Sequence, residues 1–264
     1  MKAALMMPEV RPRPSDTESG HWYDRAGNPR YECRSANGTL RPTTLRDAKK
    51  HGWVPSFSAI AELEAKPALQ RWLIEQAVLA ALTLPRIKGE TDEQFKQRAY
   101  WDARAQADAA AARGTHLHAA LEGWYENQPV GAEDLPYVLP VVEWLNNRFP
   151  QSKWLPERSF AHPVGYGGKC DLHSTEAVVD FKFKDFDDVS KIRGYDNHEM
   201  QLHAYEHGLG LHEVAKVNLF ISSTVPGMIV PVVWPDNPKS LEAFLLLCRL
   251  WAIRKNYDPS WAAE

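Results

Sequence analysis

A run of short β-prone segments after Pro150 is the feature that most limits how this chain can fold. Three such segments follow one another between residues 159 and 183, and the turn-forming residues that separate them predict a β-meander. A helical segment, two more β-prone runs and a closing amphipathic helix complete the pattern, which predicts an α/β (α+β) domain with a central mixed β-sheet flanked by helices. The predicted strands are 159–163, 168–173, 177–183, 214–222 and 228–234, and the predicted helices among them are 198–211 and 239–256.

Helical patterns dominate the chain before Pro150. One segment has an alanine-rich centre of high helix propensity. Gly114 punctuates that segment, so the residues after it form either a separate helix or its continuation. The predicted helices in this part begin at Ala59 and at Thr91 and cover 69–84, 115–127 and 137–149.

The N-terminal part has a different composition. Residues 1–20 are rich in Pro, Arg, Ser and Asp, and we expect them to form a mobile leader. Two aromatic runs, 21–23 and 31–33, then flank the turn-forming sequence Gly-Asn-Pro, which predicts a β-hairpin. We therefore assign residues 1–52 to an N-terminal extension that contains this hairpin, and residues 53–264 to the main domain.

Composition narrows the class of protein. No run approaches the roughly 18 apolar residues of a membrane span, and the first ten residues are too interrupted for a signal peptide, so we expect a cytoplasmic protein with no membrane partner. Cys33, Cys170 and Cys248 are too few and too dispersed to hold an iron–sulfur cluster. The net charge of -3 gives no global sign of nucleic-acid binding, although a local basic groove is compatible with it.

Residues 178–182, with the sequence VVDFK, are the centre of the functional interpretation. Alternate side chains of a strand share a face, so Asp180 and Lys182 point to one side, while Val179 and Phe181 point into a core. A carboxylate beside an ammonium group suits metal-assisted hydrolysis, because the Asp can hold Mg²⁺ and the Lys can stabilise a hydroxide or the phosphate. Taken alone, D-x-K more often marks a solvated strand face with one ion pair.

Asp171 lies on the preceding predicted strand, nine residues before Asp180. A hairpin between the two strands would bring both carboxylates to one metal ion. The glycines just before Asp171 permit tight turns and a close approach of the backbone. Considered alone, Asp171 is equally well interpreted as a residue that caps a turn.

Two polar pairs lie on predicted helices. His118 and Glu122 are four residues apart, which places an imidazole and a carboxylate on one helix face. Gln201 and Tyr205 have the same spacing and can hydrogen-bond a phosphate or orient an active-site lysine. Each pair by itself more often belongs to an ordinary polar helix surface.

The order of these motifs along the chain changes the interpretation of each one. The pattern G-T-x-x-H-x-x-x-E, then D, D-x-K and Q-x-x-x-Y, resembles the RecB-like branch of the PD-(D/E)xK nuclease superfamily over residues 54–222. The segments 41–45 and 54–56 also resemble small phage-encoded exonucleases of that branch. The resemblance implies a restriction-endonuclease-like core with a helical N-terminal part, in a nuclease domain over 53–264. The matching residues are Gly114, His118, Glu122, Asp171, Asp180, Lys182, Gln201 and Tyr205.

The resemblance also implies a role for each matched residue. The catalytic residues would be Glu122, Asp171, Asp180 and Lys182. The ligands of a Mg²⁺ or Mn²⁺ ion would be His118, Glu122, Asp171, Asp180 and the backbone carbonyl of Phe181. Gln201 and Tyr205 would orient Lys182 or grip the DNA backbone. Some relatives carry an iron–sulfur cluster, but this chain lacks the four cysteines that such a cluster needs.

Further DNA contacts are expected from basic residues close to the motif in sequence. Lys184, Lys191 and Arg193 would bind phosphates and give salt-dependent, sequence-independent affinity. The leading hypothesis is therefore a metal-dependent exonuclease that hydrolyses phosphodiester bonds from free DNA ends, including single-stranded ends, in recombination, repair or phage DNA processing, together with a recombination protein. Two alternatives stay open: a catalytically silent DNA-binding or assembly protein on the same fold, and a Zn-dependent hydrolase that uses some of the ten histidines.

Overall fold

The computed structural model describes residues 21–35, 37–65 and 67–261. The leader expected at residues 1–20 lies outside them. The strands are β1 (Trp22–Tyr23), β2 (Glu32–Arg34), β3 (Leu40–Pro42), β4 (Val54–Pro55), β5 (Leu155–His162), β6 (Tyr166–His173), β7 (Ala177–Lys184), β8 (Ala215–Ser222) and β9 (Ile229–Trp234). The helices are α1 (Leu45–His51), α2 (Phe57–Ala61), α3 (Pro67–Thr83), α4 (Asp92–Tyr125), α5 (Leu135–Arg148), α6 (Asp196–Gly208) and α7 (Pro238–Lys255), with a short 3₁₀ helix at Val189–Lys191.

Five strands form the main sheet in the order β5-β6-β7-β8-β9. The first three form an antiparallel meander, β7 and β8 are parallel, and β9 returns antiparallel along β8. Because parallel neighbours need a crossover connection, the chain passes through α6 between β7 and β8. The sheet is mixed and helices flank it, so the predicted α/β fold class is confirmed.

The two sides of the sheet carry separate apolar cores, and β7 shows the alternation that separates them. Val178 belongs to the core formed with α2, α6 and α7, whereas Val179 and Phe181 belong to the core formed with α4 and α5. The side chains of Asp180 and Lys182 therefore lie on the α6 side of the sheet. This is the division of faces that the strand pattern predicts.

The predicted N-terminal hairpin is present at its turn, but its paired residues differ from the predicted runs. The Asp24 carboxylate accepts hydrogen bonds from backbone N–H groups of the turn. Tyr23 pairs antiparallel with Pro29, and the Arg30 N–H donates to the Trp22 carbonyl. Beyond this turn β1 pairs with β4, and β2 pairs with β3. Trp22 packs edge-on against Trp251 in the core, whereas β2 lies at the surface.

Helix α4 runs without a break through Gly114, so residues 115–127 begin as its continuation and not as a separate helix. Its N-terminus has a capping box in which the side chains of Thr91 and Gln94 each bond the other's backbone N–H. A single glycine costs a helix only about 1 kcal/mol, too little to end one of this length. The helix therefore connects the α3–α4 hairpin directly to the sheet.

The boundary proposed between residues 52 and 53 stays a prediction, but the described part of the extension shares the core of the main domain. Trp22 and Ala48 are buried in the same cluster as Phe244 and Trp251. The Tyr257 hydroxyl also donates to the backbone oxygens of Ala48 and Trp53. Both ends of the described chain thus close over one face of the sheet.

Replacing Trp22 by alanine is expected to lower the free energy of unfolding by about 3–5 kcal/mol, because it empties a fully buried site against Trp251. Urea unfolding followed by fluorescence and by circular dichroism measures the change. Leu40→Ala, at an exposed position in the same segment, is the control and should stay within about 0.5 kcal/mol of wild type. Equal stability of the two variants would show that the segment folds apart from the main domain.

None of the helices in the described ranges combines the length and the apolar character needed to cross a membrane.

Candidate active site

The candidate site lies where β6 and β7 separate. Their paired register covers Leu172 with Val179 and His173 with Val178. At the next position the Asp171 carboxylate, and not a backbone carbonyl, accepts a 2.8 Å hydrogen bond from the Phe181 backbone N–H. The Asp171 side chain thus replaces a backbone carbonyl as the hydrogen-bond partner of β7, and this places Asp171 beside the second half of that strand.

Asp180 is buried and receives hydrogen bonds from three side chains. Lys182 Nζ lies 2.7 Å from its Oδ2 and 2.9 Å from its Oδ1. Gln201 Nε2 donates to Oδ1 at 3.0 Å, and Asn218 Nδ2 donates to Oδ2 at 2.7 Å. A carboxylate with this many donors is held in one orientation.

A chain of hydrogen bonds positions Lys182 from the α6 side. The Gln201 Oε1 accepts from Lys182 Nζ at 3.2 Å, and the Gln201 Nε2 also donates to the Tyr205 hydroxyl at 3.1 Å. Tyr205 is 5% exposed, and its ring packs edge-on against Phe57 and Phe160. In this arrangement Tyr205 supports Gln201, which supports Lys182, so the geometry favours the orienting role over direct contact with DNA.

The carboxyl of Asp171 lies in an electrostatically unfavourable place. Burial, and then the negative charge of Asp180, raise its pKa to about 7. The charge of Lys182 and the Phe181 N–H oppose this rise without cancelling it. Two carboxylates therefore share a site in which the protein supplies too little positive charge for both.

His118 approaches this group from α4. Its Nδ1 lies 3.7 Å from Asp171 Oδ2, and its ring packs edge-on against Phe183 at a centroid distance of 4.9 Å. Burial lowers its pKa, which favours the neutral imidazole. A cavity of about 380 Å³ opens here, lined by Ala111, Gly114, Thr115, His118, Phe181, Lys182 and Phe183. Thr115, His118 and Lys182 are the polar residues among those that line it.

Glu122 lies one helical turn beyond His118 and is half-buried. Its carboxylate forms no hydrogen bond or ion pair with any residue of the described ranges. Among those residues, no three of the His, Cys, Asp and Glu side chains are grouped closely enough to hold a metal ion. The structure thus brings His118 close to Asp171, and Asp171 beside the strand that carries Asp180, but it joins neither Asp180 nor Glu122 to them as a third ligand.

The three basic residues expected to contact DNA lie in different surroundings. Lys184 Nζ lies 5.0 Å above the ring centre of Tyr195 and 4.9 Å above that of Phe220, and burial lowers its pKa. Lys191 is exposed and faces nearby aspartates. Arg193 donates to backbone carbonyls of its own loop. Lys184 is the one on β7, next to Lys182 on the same strand face.

Sequence reasoning missed Asn218 and Trp234. Asn218 lies opposite Asp180 in the parallel β7–β8 register, and its Oδ1 accepts a 2.7 Å hydrogen bond from Trp234 Nε1 on β9. The signal was present, because Asn218 is a lone amide in the otherwise apolar run that follows Lys216. Its partner could not be found, because the register between β7 and β8 is not encoded locally.

Replacing Asn218 by leucine is expected to lower the free energy of unfolding by about 1–3 kcal/mol, because the buried Trp234 N–H then loses its acceptor and Asp180 loses a donor. Trp234→Phe breaks the same hydrogen bond by removing its donor, the indole N–H. The two losses should be less than additive in the double variant, as measured by urea unfolding. Additive losses would mean that the Trp234–Asn218 bond contributes nothing.

Comparisons with known proteins add little here. No family model matches the chain, and no curated protein matches it. Among solved structures, "Crystal structure of SSO0001" is similar at 14% identity over 71% of this chain and 86% of that one, with a TM-score of 0.33. A likeness this weak supports no argument about fold or function.

Proposed function

We propose that this chain is a divalent-metal-dependent DNA nuclease with its active site at the end of β7. One observation carries the proposal: the Lys182 ammonium and the Asp180 and Asp171 carboxylates meet where β6 and β7 separate, and Lys182 lines an open cavity there. The order of the motifs along the chain, which resembles the RecB-like nucleases, supports the same assignment. Lys182, Asp180, Asp171 and Glu122 are the proposed catalytic residues.

The residues suit a hard divalent cation. Mg²⁺ prefers oxygen ligands and is commonly held by one or two carboxylates, with water and substrate phosphate completing its shell. Asp171 and Asp180 supply two such carboxylates, and their unbalanced negative charge is what a cation would relieve. The Phe181 carbonyl, His118 and Glu122 would complete the set. When bound, Mg²⁺ or Mn²⁺ lowers the pKa of a coordinated water and neutralises charge on the phosphate.

The remaining roles belong to side chains of the protein, which act through the positions in which they are held. Gln201 and Asn218 hold the Asp180 carboxylate in one orientation. Lys182, which Gln201 holds in place, is one of the residues that line the cavity, and its ammonium group can orient a water molecule and stabilise negative charge that develops on a phosphate oxygen. Neutral His118 can accept a hydrogen bond from a water molecule in the same space.

Action on free DNA ends, in recombination, repair or phage DNA processing in the cytoplasm and alongside a recombination protein, is the finer part of the proposal. It rests on the resemblance. Lys184 is the basic side chain best placed to hold a phosphate next to the site, because it follows Lys182 on the same face of β7. Lys191 and Arg193 would extend this contact along the loop before α6.

End-labelled linear DNA and closed circular DNA, each single- and double-stranded, test the proposal in Mg²⁺, Mn²⁺ or EDTA. We expect metal-dependent loss of linear DNA, with circular DNA spared. Cleavage of circles at the same rate would remove the exonuclease assignment and leave a nuclease. No cleavage of any substrate with any metal would overturn the proposal.

A catalytically silent DNA-binding protein is the second candidate. The observation in its favour is that the protein's own groups already satisfy the Asp180 carboxylate, which therefore needs no metal as a partner. The same assay separates the two candidates, because a silent protein would retard DNA in a gel in EDTA and in Mg²⁺ alike while leaving it uncut.

A further inference from the structure

Helix α3 is apolar and almost entirely exposed. Its sequence, PALQRWLIEQAVLAALT, contains one cation, Arg71, and one anion, Glu75. Among its side chains described from residue 70 onward, Ala80 is the buried one and Gln76 is half-buried. A helix with so few charges is normally covered by other parts of a protein.

The helix packs on α4 through a narrow strip. The buried residues of this contact are Ala80, Ala99 and Ala103, with Leu84 packed against them. The opposite side of α3 carries Ile74, Val78 and Leu82, which are 64%, 52% and 79% exposed. Their spacing of four residues makes them one ridge along the helix, the kind that interlocks with a similar ridge of a second helix. We name Ile74, Val78 and Leu82 the α3 ridge.

We propose that the α3 ridge is a self-association surface, on which two copies of this chain pack their α3–α4 hairpins into a four-helix arrangement. The ridge, with its exposed neighbours Trp72 and Leu79 on the same helix, offers roughly 500 Å² of apolar surface, so two copies would bury about 1,000 Å² in total, the lower limit for a specific interface. In a two-fold dimer the same patch meets itself, so one ridge serves both partners.

The charge on α3 favours a second copy over DNA or lipid. Arg71 and Glu75 cancel, so two copies of the helix do not repel each other. A phosphate backbone or an anionic lipid surface would instead be met by several Lys or Arg side chains. The apolar and neutral face therefore matches another face of the same kind.

Sedimentation equilibrium of the full chain, from about 1 to 100 μM, tests this. We expect a concentration-dependent dimer, and in the double variant Ile74→Glu, Leu82→Glu a dimer dissociation constant at least about 100-fold higher, because two charges must then be buried in the interface. The matched control is Leu246→Glu, Ile253→Glu on α7, at positions 66% and 63% exposed, which should dimerise like wild type.

Circular dichroism shows whether each variant folds, and Leu82→Gln is a milder second variant that should weaken the dimer at least tenfold. A wild type that is monomeric at 100 μM, whether or not it floats with phosphatidylcholine vesicles, would overturn the proposal. So would a dimer that the α3 variants leave unchanged. These outcomes do not depend on nuclease activity, so the α3 ridge and the active site are tested separately.

Discussion

Lys182→Met is expected to slow DNA cleavage by on the order of 10²–10³-fold, the loss typical of one preorganised donor that acts on developing charge. Lys182 Nζ contacts both oxygens of Asp180 and is held by Gln201, and Lys182 is one of the residues that line the cavity proposed to receive a phosphate. Methionine keeps most of the side-chain volume and removes only the charge and the donors. The measurement is single-turnover cleavage of end-labelled DNA at saturating enzyme.

The effect should fall on kcat, with little change in DNA affinity. In the proposed function several basic side chains bind the DNA phosphates, so the loss of one changes the affinity little. Lys182 differs from them because Asp180 and Gln201 hold its ammonium group in place. Lys50→Met, on the exposed surface of α1, is the matched control and should cleave like wild type. If Lys182→Met lost DNA binding but cleaved bound DNA at the normal rate, Lys182 would be a binding residue and its catalytic assignment would be wrong.

Asp171→Asn is expected to have opposite effects on stability and on activity. Without metal, the variant should unfold at a higher temperature than wild type, because it removes a charge that burial and Asp180 disfavour. The asparagine oxygen can still accept the Phe181 N–H, so the fold keeps that hydrogen bond.

The same variant should lose its response to divalent metal. In wild type, Mn²⁺ at about 100 times its dissociation constant is expected to add about 2.7 kcal/mol of stability, since a ligand that binds only the folded state stabilises it. In Asp171→Asn this shift should largely disappear, and cleavage with it. A thermal-shift titration with Mn²⁺ and with EDTA measures both parts. A variant that is less stable without metal, yet still responds to it, would contradict the assignment of Asp171.

The direction of the pH dependence follows from the raised pKa of Asp171. Between its ordinary value of 3.8 and its folded value of about 7, the folded protein keeps a proton that the unfolded chain releases. The stability of the metal-free wild type relative to Asp171→Asn therefore falls as the pH rises through this window. At pH 4 the two proteins should unfold at similar temperatures, and the difference should be largest above pH 7.

The sequence predicted those parts of the molecule that depend on local periodicity. The alternation around Asp180 assigned the faces of β7 correctly, because side chains on a strand alternate whatever lies next to it. The predicted strands and closing helices are present, with shifts at their ends. The hairpin at Trp22 was predicted only in part, because strand pairing beyond its turn depends on where a large side chain is buried, and that is a property of the whole fold.

The candidate site shows the same limit. Asp171 and Asp180 were expected together, because a short turn joins their strands, and the structure places them together. Asn218 was missed because it reaches Asp180 only through a parallel register with a strand beyond α6. The environment of Lys184, between two aromatic rings, likewise depends on contacts across the sheet and from the loop before α6.

Helix α4 is continuous over its 34 residues and is therefore about 50 Å long. One end carries the hairpin that we propose joins two molecules, and the other carries His118 and Glu122. No loop interrupts the hydrogen-bonded turns between them, so a tilt of the hairpin would be transmitted along the helix toward the cavity wall. Assembly and catalysis would then be linked through one element, which lies beside β7 at Gly114, where an added Cβ atom would come 3.6 Å from the Cβ of Phe183.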